Sequence, residues 1–289
     1  MIEIGRLNSL RVLRFAAPGA YLGPLDDDNE QEVLLPGKQV AADCRVGDVL
    51  TVFVHHDSED RPVATTTTPL AQLGEVAWLK VVAVNDAGAF LDWGLPKDLL
   101  LPYNEIPREQ KEFLEPGRFI MVMVFQDDQR RIAASARLDD FLAKEADGFA
   151  EGEQVDLLIA DRTDLGQRVV VNHRYWGLVH NNEIFGTLRK GERRAGWIKT
   201  LRSDHRLNLA LTAPGPGKID AAAQGILDKI ISHGGFMAVT DKSPPEAIYK
   251  LFGVSKKVFK QGIGSLYKNR LITIENAGLR TVDNSRQSS

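Results

Sequence analysis

A single cysteine, Cys44, occurs in the 289 residues, so an internal disulfide is excluded and a reducing cytoplasm is expected. Nothing near Cys44 in sequence would lower its thiol pKa, which makes it a packing residue rather than a nucleophile. No apolar run is long enough to span a bilayer, and Met1-Ile2-Glu3 begins no basic-then-apolar leader, so no membrane partner is expected. There is no complete phosphate loop, no Cys/His ligand set and no His-x-x-x-His pair. Catalytic residues, a metal, a cofactor and a small-molecule ligand are therefore not expected. APGPGK (213–218) lacks the spacing and the following Ser or Thr of a phosphate loop, and its two prolines read as a stiff linker. An excess of positive charge is also missing. The 36 Lys+Arg against 39 Asp+Glu give a formal charge of −3, so any polyanion must be held by local patches rather than overall attraction.

What the chain does have is repetition. Gly74 and Gly88 are 14 residues apart, as are Gly5 and Gly19, and Gly152 and Gly166. Each pair encloses an alternating apolar run with Leu10/Val12, Leu79/Val81 and Leu157/Ile159 at the same offsets. LLPYNEI (100–106) aligns with LVHNNEI (178–184), and the spacing Gly47–Asp57–Arg61 repeats as Gly117–Asp127–Arg131. Short strand-like runs punctuated by turn residues predict a small barrel in each copy. Three tandem barrels are expected over 1–68, 69–138 and 149–213. Leu138–Ala150, polar with helical spacing, would join the last two. The acidic run Asp26-Asp27-Asp28-Asn29-Glu30 reads as a solvated turn. His55 and His56, adjacent on a strand, point to opposite faces and are read as surface and packing residues.

After the linker the pattern changes to helical. Ile219, Ala222, Ala223, Ile226, Leu227, Ile230 and Ile231 share a helical face that ends at Gly234-Gly235. Phe236–Val239 is a short strand candidate. Ser243-Pro-Pro-Glu246 reads as a capping box closed by Gly253, and Ser255 caps a further helix to about Asn269. LITIE (271–275) and LRTV (279–282) form a hairpin, and 285–289 a disordered tail. Helix, strand, helix, helix, hairpin is the order of a winged helix-turn-helix, expected over 218–284. Residues 218–289 hold 11 Lys+Arg and 6 Asp+Glu, a net +5, which leaves −8 on the rest of the chain. Lys256, Lys257, Lys260 and Lys268 fall on one face of the last helix, opposite Val258, Phe259, Ile263 and Leu266, and are candidate contacts to nucleic acid.

The landmarks of residues 74–137 resemble the ribosomal S1 RNA-binding domain, an OB-fold barrel: Gly74, Gly88-Ala89-Phe90, and the hairpin Asp127 with Arg131. The whole chain is then mainly β with an α+β C-terminal domain, three tandem five-stranded S1-like barrels followed by a winged helix. The S1 pattern places an exposed aromatic at Phe90 and at the equivalent Tyr21, with Arg168 at that place in the third copy. It places a histidine where His180 stands. Lys80 and Arg11 hold equivalent positions on the first strands. Asp57 with Arg61, and Asp127 with Arg131, offer an Arg to phosphate while the Asp orients it or accepts from a base or ribose hydroxyl. Trp93 and Trp78 would add stacking surface. Aromatic faces for bases and cations for phosphates are what a single-stranded RNA site requires.

Three S1-like barrels and a winged helix resemble the conserved virulence factor B family (CvfB, YitL-like), most specifically through GEVAWLKVVAVNDAGAFLDWGLPKDLLLP (74–102) and SKKVFKQGIGSLYKNRLITIE (255–275). The resemblance implies a bacterial, cytoplasmic, non-catalytic protein that binds single-stranded RNA and acts in post-transcriptional or transcriptional control of gene expression. Two other readings stay open at this stage: a protein-docking scaffold on ribosome or RNA polymerase, and a metal-dependent nuclease.

Overall fold

In the computed structural model the described residues are 1–26, 31–184, 186–202, 204–213 and 221–282. Residues 27–30 of the acidic run, 214–218 of the linker, Ile219 and the tail 285–289 lie outside them.

The alternating run of each repeat folds as a long first strand: β1 (Leu7–Ala16), β6 (Val76–Asn85) and β11 (Gln154–Arg162). Leu10 and Val12, Leu79 and Val81, and Leu157 and Ile159 are all buried, as residues two apart on one strand face should be. Pairing to the next strand slips at the same place in each copy, between Val12 and Arg14, Val81 and Ala83, and Ile159 and Arg162. A bulge there bends and twists the strand, so that it pairs along both edges and curls the sheet.

The first barrel is completed by β2 (Gly19–Gly23), β3 (Val33–Pro36), β4 (Val49–His56) and β5 (Pro62–Thr65). The second adds β7 (Gly88–Asp92), β8 (Leu99–Pro102), β9 (Phe119–Gln126) and β10 (Ile132–Ser135). The third adds β12 (Gly166–Val171), β13 (Tyr175–His180), β14 (Arg193–Leu201) and β15 (Leu207–Ala210). In the first and third, a parallel contact between the third and fifth strands closes the barrel, Leu34 opposite Val63 and Leu178 opposite Asn208. The second has the same strand order, with β8 and β10 side by side but without a registered ladder. Three five-stranded barrels are therefore present.

The repeated glycines have a steric cause. At Gly19, Gly88 and Gly166 the backbone φ is +150° to +157°. A Cβ there would sit 2.1 Å from the carbonyl oxygen of Leu35, Leu101 or Val179 on the facing strand. Only glycine permits that conformation and that approach together.

The chain divides into two compact units, Met1–Leu142 and Ala143–Ser289. In the first, the two barrels are fused through side chains. Phe53 alternates away from Val52 and Val54, which fill the first barrel's core, and is buried in the core of the second. Its ring meets Trp93 edge-on at 5.7 Å and 84°. Backbone bonds tie the same seam, Leu73 N–H to Gly5 O at 2.8 Å and Leu7 N–H to Gln72 Oε1 at 2.8 Å.

In the second unit, the third barrel encloses Val155, Leu157, Ile159, Val169, Val171 and Leu209. The C-terminal domain comprises α1 (Ala221–Ser232), β16 (Phe236–Met237), α2 (Pro245–Phe252), α3 (Lys256–Lys268), β17 (Ile272–Glu275) and β18 (Gly278–Thr281). This is the expected winged-helix order. Ala223, Ile226, Ile230, Ile248, Phe259, Ile263 and Leu266 form its core. Gly253 ends α2 at φ +70° with its N–H on Tyr249 O, and Ser255 Oγ caps α3 by accepting from Val258 N–H at 3.4 Å.

Two local expectations fail. The capping box at 243–246 does not form: Pro244 is the N-cap, no side chain caps α2, and Ser243 Oγ accepts from Thr240 N–H instead. Two successive prolines fix φ and move the helix start one residue beyond the serine's reach. Leu138–Ala150 is not an α-helix; only Leu138–Asp140 makes a 3-10 turn. Ala143 gives its N–H to Arg174 O and its carbonyl to Trp176 N–H, so backbone groups a helix would use are spent on the third barrel.

Gly88→Ala should destabilise the full chain by on the order of 3 kcal/mol or more, because strained backbone and backbone clash combine. Gly117→Ala, where a Cβ meets nothing within 4 Å, should cost only the left-handed strain, about 1–2 kcal/mol. Urea denaturation of both variants distinguishes the two effects. Equal losses would contradict the close-approach explanation.

Candidate nucleic-acid interface

On β7, Ala89 and Leu91 turn into the core, so Phe90 between them faces outward, half-buried, opposite Leu100 of β8. A cleft of about 450 Å³ opens over it, lined by Phe90, Leu100, Lys97, Asp127, Arg131 and, from the first barrel, His55. Phe90, Asp127 and Arg131, separated widely in sequence, thus share one site. Lys97 and His55 were not among the residues expected there. His55, read from sequence as a surface or packing residue, borders this cleft only because Phe53 seats the first barrel against the second. No local pattern encodes that contact.

Arg131 is held in place by Asp127. One carboxylate oxygen accepts from the backbone N–H of Gln129 and Arg131 at 2.9 and 2.8 Å. The other accepts from Arg131 Nε and Nη2 at 3.0 and 2.8 Å. With four bonds received, Asp127 has no lone pair to spare for a base or ribose, and its role is to brace the hairpin and aim the guanidinium. Partial desolvation pushes the Asp127 carboxyl up, but the backbone and side-chain bonds from Arg131 outweigh it and hold the pKa below the ordinary value. Asp57 and Arg61 repeat the brace at 2.7–3.0 Å. There Arg61 Nη1 also meets Glu59 Oε2 at 2.8 Å, so its charge is shared by two carboxylates. Gln129 stands at the matching place in the second barrel, and the charge on Arg131 is offset by one carboxylate only.

Trp93 is corrected. It is buried, its Nε1 donates to Lys97 O at 2.7 Å and its ring packs on Phe53. It offers no stacking face; it is the joint between the barrels. Trp78 is half-buried and stacked on the exposed Phe119 at 6.0 Å. Tyr21 is half-buried beneath the Arg14 guanidinium, 3.7 Å from the ring centroid, and Arg14 is itself bonded to Glu32. One face of Tyr21 is thereby covered. Arg11 reaches Leu25 O, and Lys80 is exposed at the register position between Asp92 and Phe119. Neither borders the cleft.

In the third barrel Arg168 lies flat over Trp176, 3.7 Å from its centroid. The His180 ring bonds Asn208 Oδ1 through Nε2 at 3.0 Å, linking β13 to β15. The closing hairpin changes its wiring: Asp204 accepts from Arg202 Nε and Arg206 N–H. On α3, Lys257, Lys260 and Lys268 are exposed and Lys256 is half-buried; Lys260 Nζ lies 3.5 Å from Asp241. Val258, expected on the core face, is only half-buried. Cys44 packs against the first barrel's core, and desolvation together with Asp48 and Asp43 raises its thiol pKa. That suits a packing residue.

The Asp57 carboxyl is lowered from 3.8 to about 2, first by the Arg61 side-chain bonds and then by the Arg61 N–H. A depressed carboxyl pKa stabilises the hairpin fully above pH 3.8 and loses that contribution as pH falls through about 2. The Arg61 amide resonance, followed by NMR in an acid titration, should therefore report a midpoint well below 3.8. Asp57→Asn should abolish the transition. A midpoint at the ordinary carboxyl value would show the brace to be open in solution.

Residues 4–67 and 73–137 match the S1 domain family, and residues 224–280 match the CvfB-like winged helix domain. These matched segments together span more than half of the chain, and both families are binding domains rather than enzymes. The chain is 27% identical over 257 residues to the uncharacterized protein YitL of Bacillus subtilis, covering 86% of this chain and 85% of that one. It is 26% identical over 278 residues to conserved virulence factor B of Staphylococcus epidermidis, covering 94% and 92%. A crystal structure of a multidomain protein with nucleic acid binding domains from Streptococcus pneumoniae aligns at 24% identity over 96% of this chain and 98% of that chain, with a TM-score of 0.43. No helix among the described residues is long and apolar enough to cross a membrane. The S1 and winged-helix domains support a nucleic-acid-binding role, and with the full-length similarity to these relatives they define its kinship: the chain belongs to the conserved virulence factor B family.

Proposed function

We propose that the chain binds single-stranded RNA, with the second barrel's cleft as its principal grip, and acts without catalysis in post-transcriptional or transcriptional control of gene expression. The observation that carries this reading is the convergence of Phe90, the braced Arg131 and Lys97 around one cleft of about 450 Å³. A splayed base stacks on Phe90 while the two cations meet flanking phosphates; an unstacked single strand offers both groups at once, and a duplex does not. The first and third barrels contribute less. Tyr21 has one face covered by Arg14. Arg168 presents a guanidinium plane, which also stacks with bases, supported by Trp176. The winged helix assists through Lys257, Lys260 and Lys268 on the exposed face of α3.

A second reading has its own observation. Tyr249, Tyr267 and Ile231 of the winged domain are exposed by 65%, 58% and 57%, which suits docking on a protein such as ribosome or RNA polymerase.

Phe90→Ala in the full chain should weaken binding of unstructured RNA by roughly 1–3 kcal/mol without unfolding the protein, since Phe90 lies outside the core. Fluorescence anisotropy measures it; unchanged affinity in a folded variant would remove Phe90 from the site. Arg131→Ala should also flatten the log–log salt dependence by about 0.7. Arg61→Ala should flatten it less, because Glu59 already offsets that charge; equal slopes would contradict the asymmetry.

Changing Lys256, Lys257, Lys260 and Lys268 together to Gln keeps helix propensity close to that of Lys. If α3 assists, this variant should bind RNA more weakly than the unmodified chain. Unchanged affinity would favour the protein-docking reading of the winged domain.

A further inference from the structure

The second barrel's cleft has a wall it does not make itself. His55 is on β4 of the first barrel, two residues beyond Phe53 and therefore on the same strand face. The two rings stack at 6.1 Å and 21°, and because Phe53 is buried against Trp93, His55 is fixed at the mouth of the cleft that holds Phe90.

The hydrogen-bond chemistry of His55 follows from one contact. Its Nδ1 lies 3.1 Å from the carbonyl oxygen of His56. A carbonyl only accepts, so Nδ1 carries the proton and donates. In the neutral ring Nε2 is then a bare acceptor. Burial lowers the His55 pKa against the opposite pull of the His56 carbonyl, and the Lys97 charge lowers it further, which keeps the ring neutral near pH 7. Nε2 makes no printed hydrogen bond and is not among the described buried, unpaired atoms. The cleft therefore contains one positioned, uncharged acceptor among cationic donors. Arg131 and Lys97 donate only, and Asp127 has spent its lone pairs on the hairpin.

We propose that His55 is a specificity-determining residue: a first-barrel side chain that reads the base stacked on Phe90, its Nε2 accepting a hydrogen bond from the exocyclic amino group of adenine or cytosine. Uracil presents a carbonyl oxygen at the place of that amino group, and two lone pairs facing each other repel. Phosphate and ribose contacts are common to all three bases, so this acceptor is what separates them. The inference rests on the single-stranded RNA reading of the cleft, and its test separates the two.

The experiment measures binding of short oligo(rA), oligo(rC) and oligo(rU) to the full chain, to Phe90→Ala and to His55→Phe, by anisotropy at one salt concentration. His55→Phe keeps a ring to stack on Phe53 while removing the acceptor; His55→Ala serves if that variant does not fold. The unmodified chain should favour oligo(rA) and oligo(rC) over oligo(rU) by about five-fold. His55→Phe should erase the preference with little change in oligo(rU) affinity, whereas Phe90→Ala should weaken all three. A preference absent from the unmodified chain, or unchanged in the His55 variant, overturns the role of His55 and leaves RNA binding standing. Uniform weakening of all three ligands by His55→Phe is also an unchanged preference and has the same consequence. Failure of the unmodified chain to bind any of the oligonucleotides overturns both.

Discussion

Phe53 sits on a strand whose alternate residues, Val52 and Val54, fill the first barrel, and it is buried instead in the core of the second. Removing a phenylalanine side chain from water contributes about 1.5–3 kcal/mol, a large share of what holds two small domains in one orientation. Other features of the first unit depend on that contact. Trp93 turns edge-on to receive Phe53 and loses its value as a stacking surface. Lys97 donates to Asp57 O at 2.7 Å, so the loop after β7 is tied to the first barrel's closing hairpin. His55 follows Phe53 to the rim of the cleft. Without this contact each barrel would present a shallow face of its own; with it, the second barrel has a cleft with walls from two domains.

Charge is organised on the same local scale. A chain with net −3 attracts a polyanion only where cations outnumber their partners within about a Debye length, ~8–10 Å. The Asp-x-x-x-Arg hairpins seem at first sight to cancel themselves, one acid for one base. Their geometry shows otherwise: the aspartate spends its oxygens on the turn's backbone amides as well as on the guanidinium, and so fixes where the arginine points. Whether any field escapes depends on the neighbour. Glu59 closes the first hairpin electrostatically, and Gln129 leaves the second one open. The two copies thus share a fold feature and differ in what it can do.

The glycine spacing was legible in the sequence because the reason for it is local and absolute. A facing carbonyl 2.1 Å from an added Cβ tolerates no other residue, so the period survives wherever the barrel does. The alternating first strands and the caps at Ser255 and Gly253 were readable for a similar reason, each being set by residues a few positions apart. The functions of particular aromatics were not readable. Trp93 and Phe90 stand three residues apart on or beside one strand, and which of them faces out depends on what the first barrel presses against. Arg14 over Tyr21 is a cross-strand contact decided by the bulge between Val12 and Arg14, and a bulge leaves no residue signature of its own. The helix expected at 138–150 failed for the same kind of reason, since Ala143 pairs with β13 far along the chain.

The third barrel separates fold from site within one molecule. It lies outside the segments that match the S1 family, yet its strand order, its bulged first strand and its glycine at Gly166 are those of the first two. Even the left-handed residue of the closing hairpin is retained, Asp60, Arg130 and His205 at φ +58°, +62° and +57°. What has changed are the residues that face outward: Arg168 for the aromatic, Arg202 for the hairpin aspartate, with Asp204 now bracing the turn. Backbone constraints act on every copy alike, because a clash destabilises whichever barrel contains it. Constraints on an exposed side chain act only where that side chain contacts something. Divergence confined to the outward positions is therefore what a copy relieved of the stacking role would accumulate, and the same argument favours the second barrel, which retains Phe90, Asp127 and Arg131, as the place where the chain's grip is concentrated.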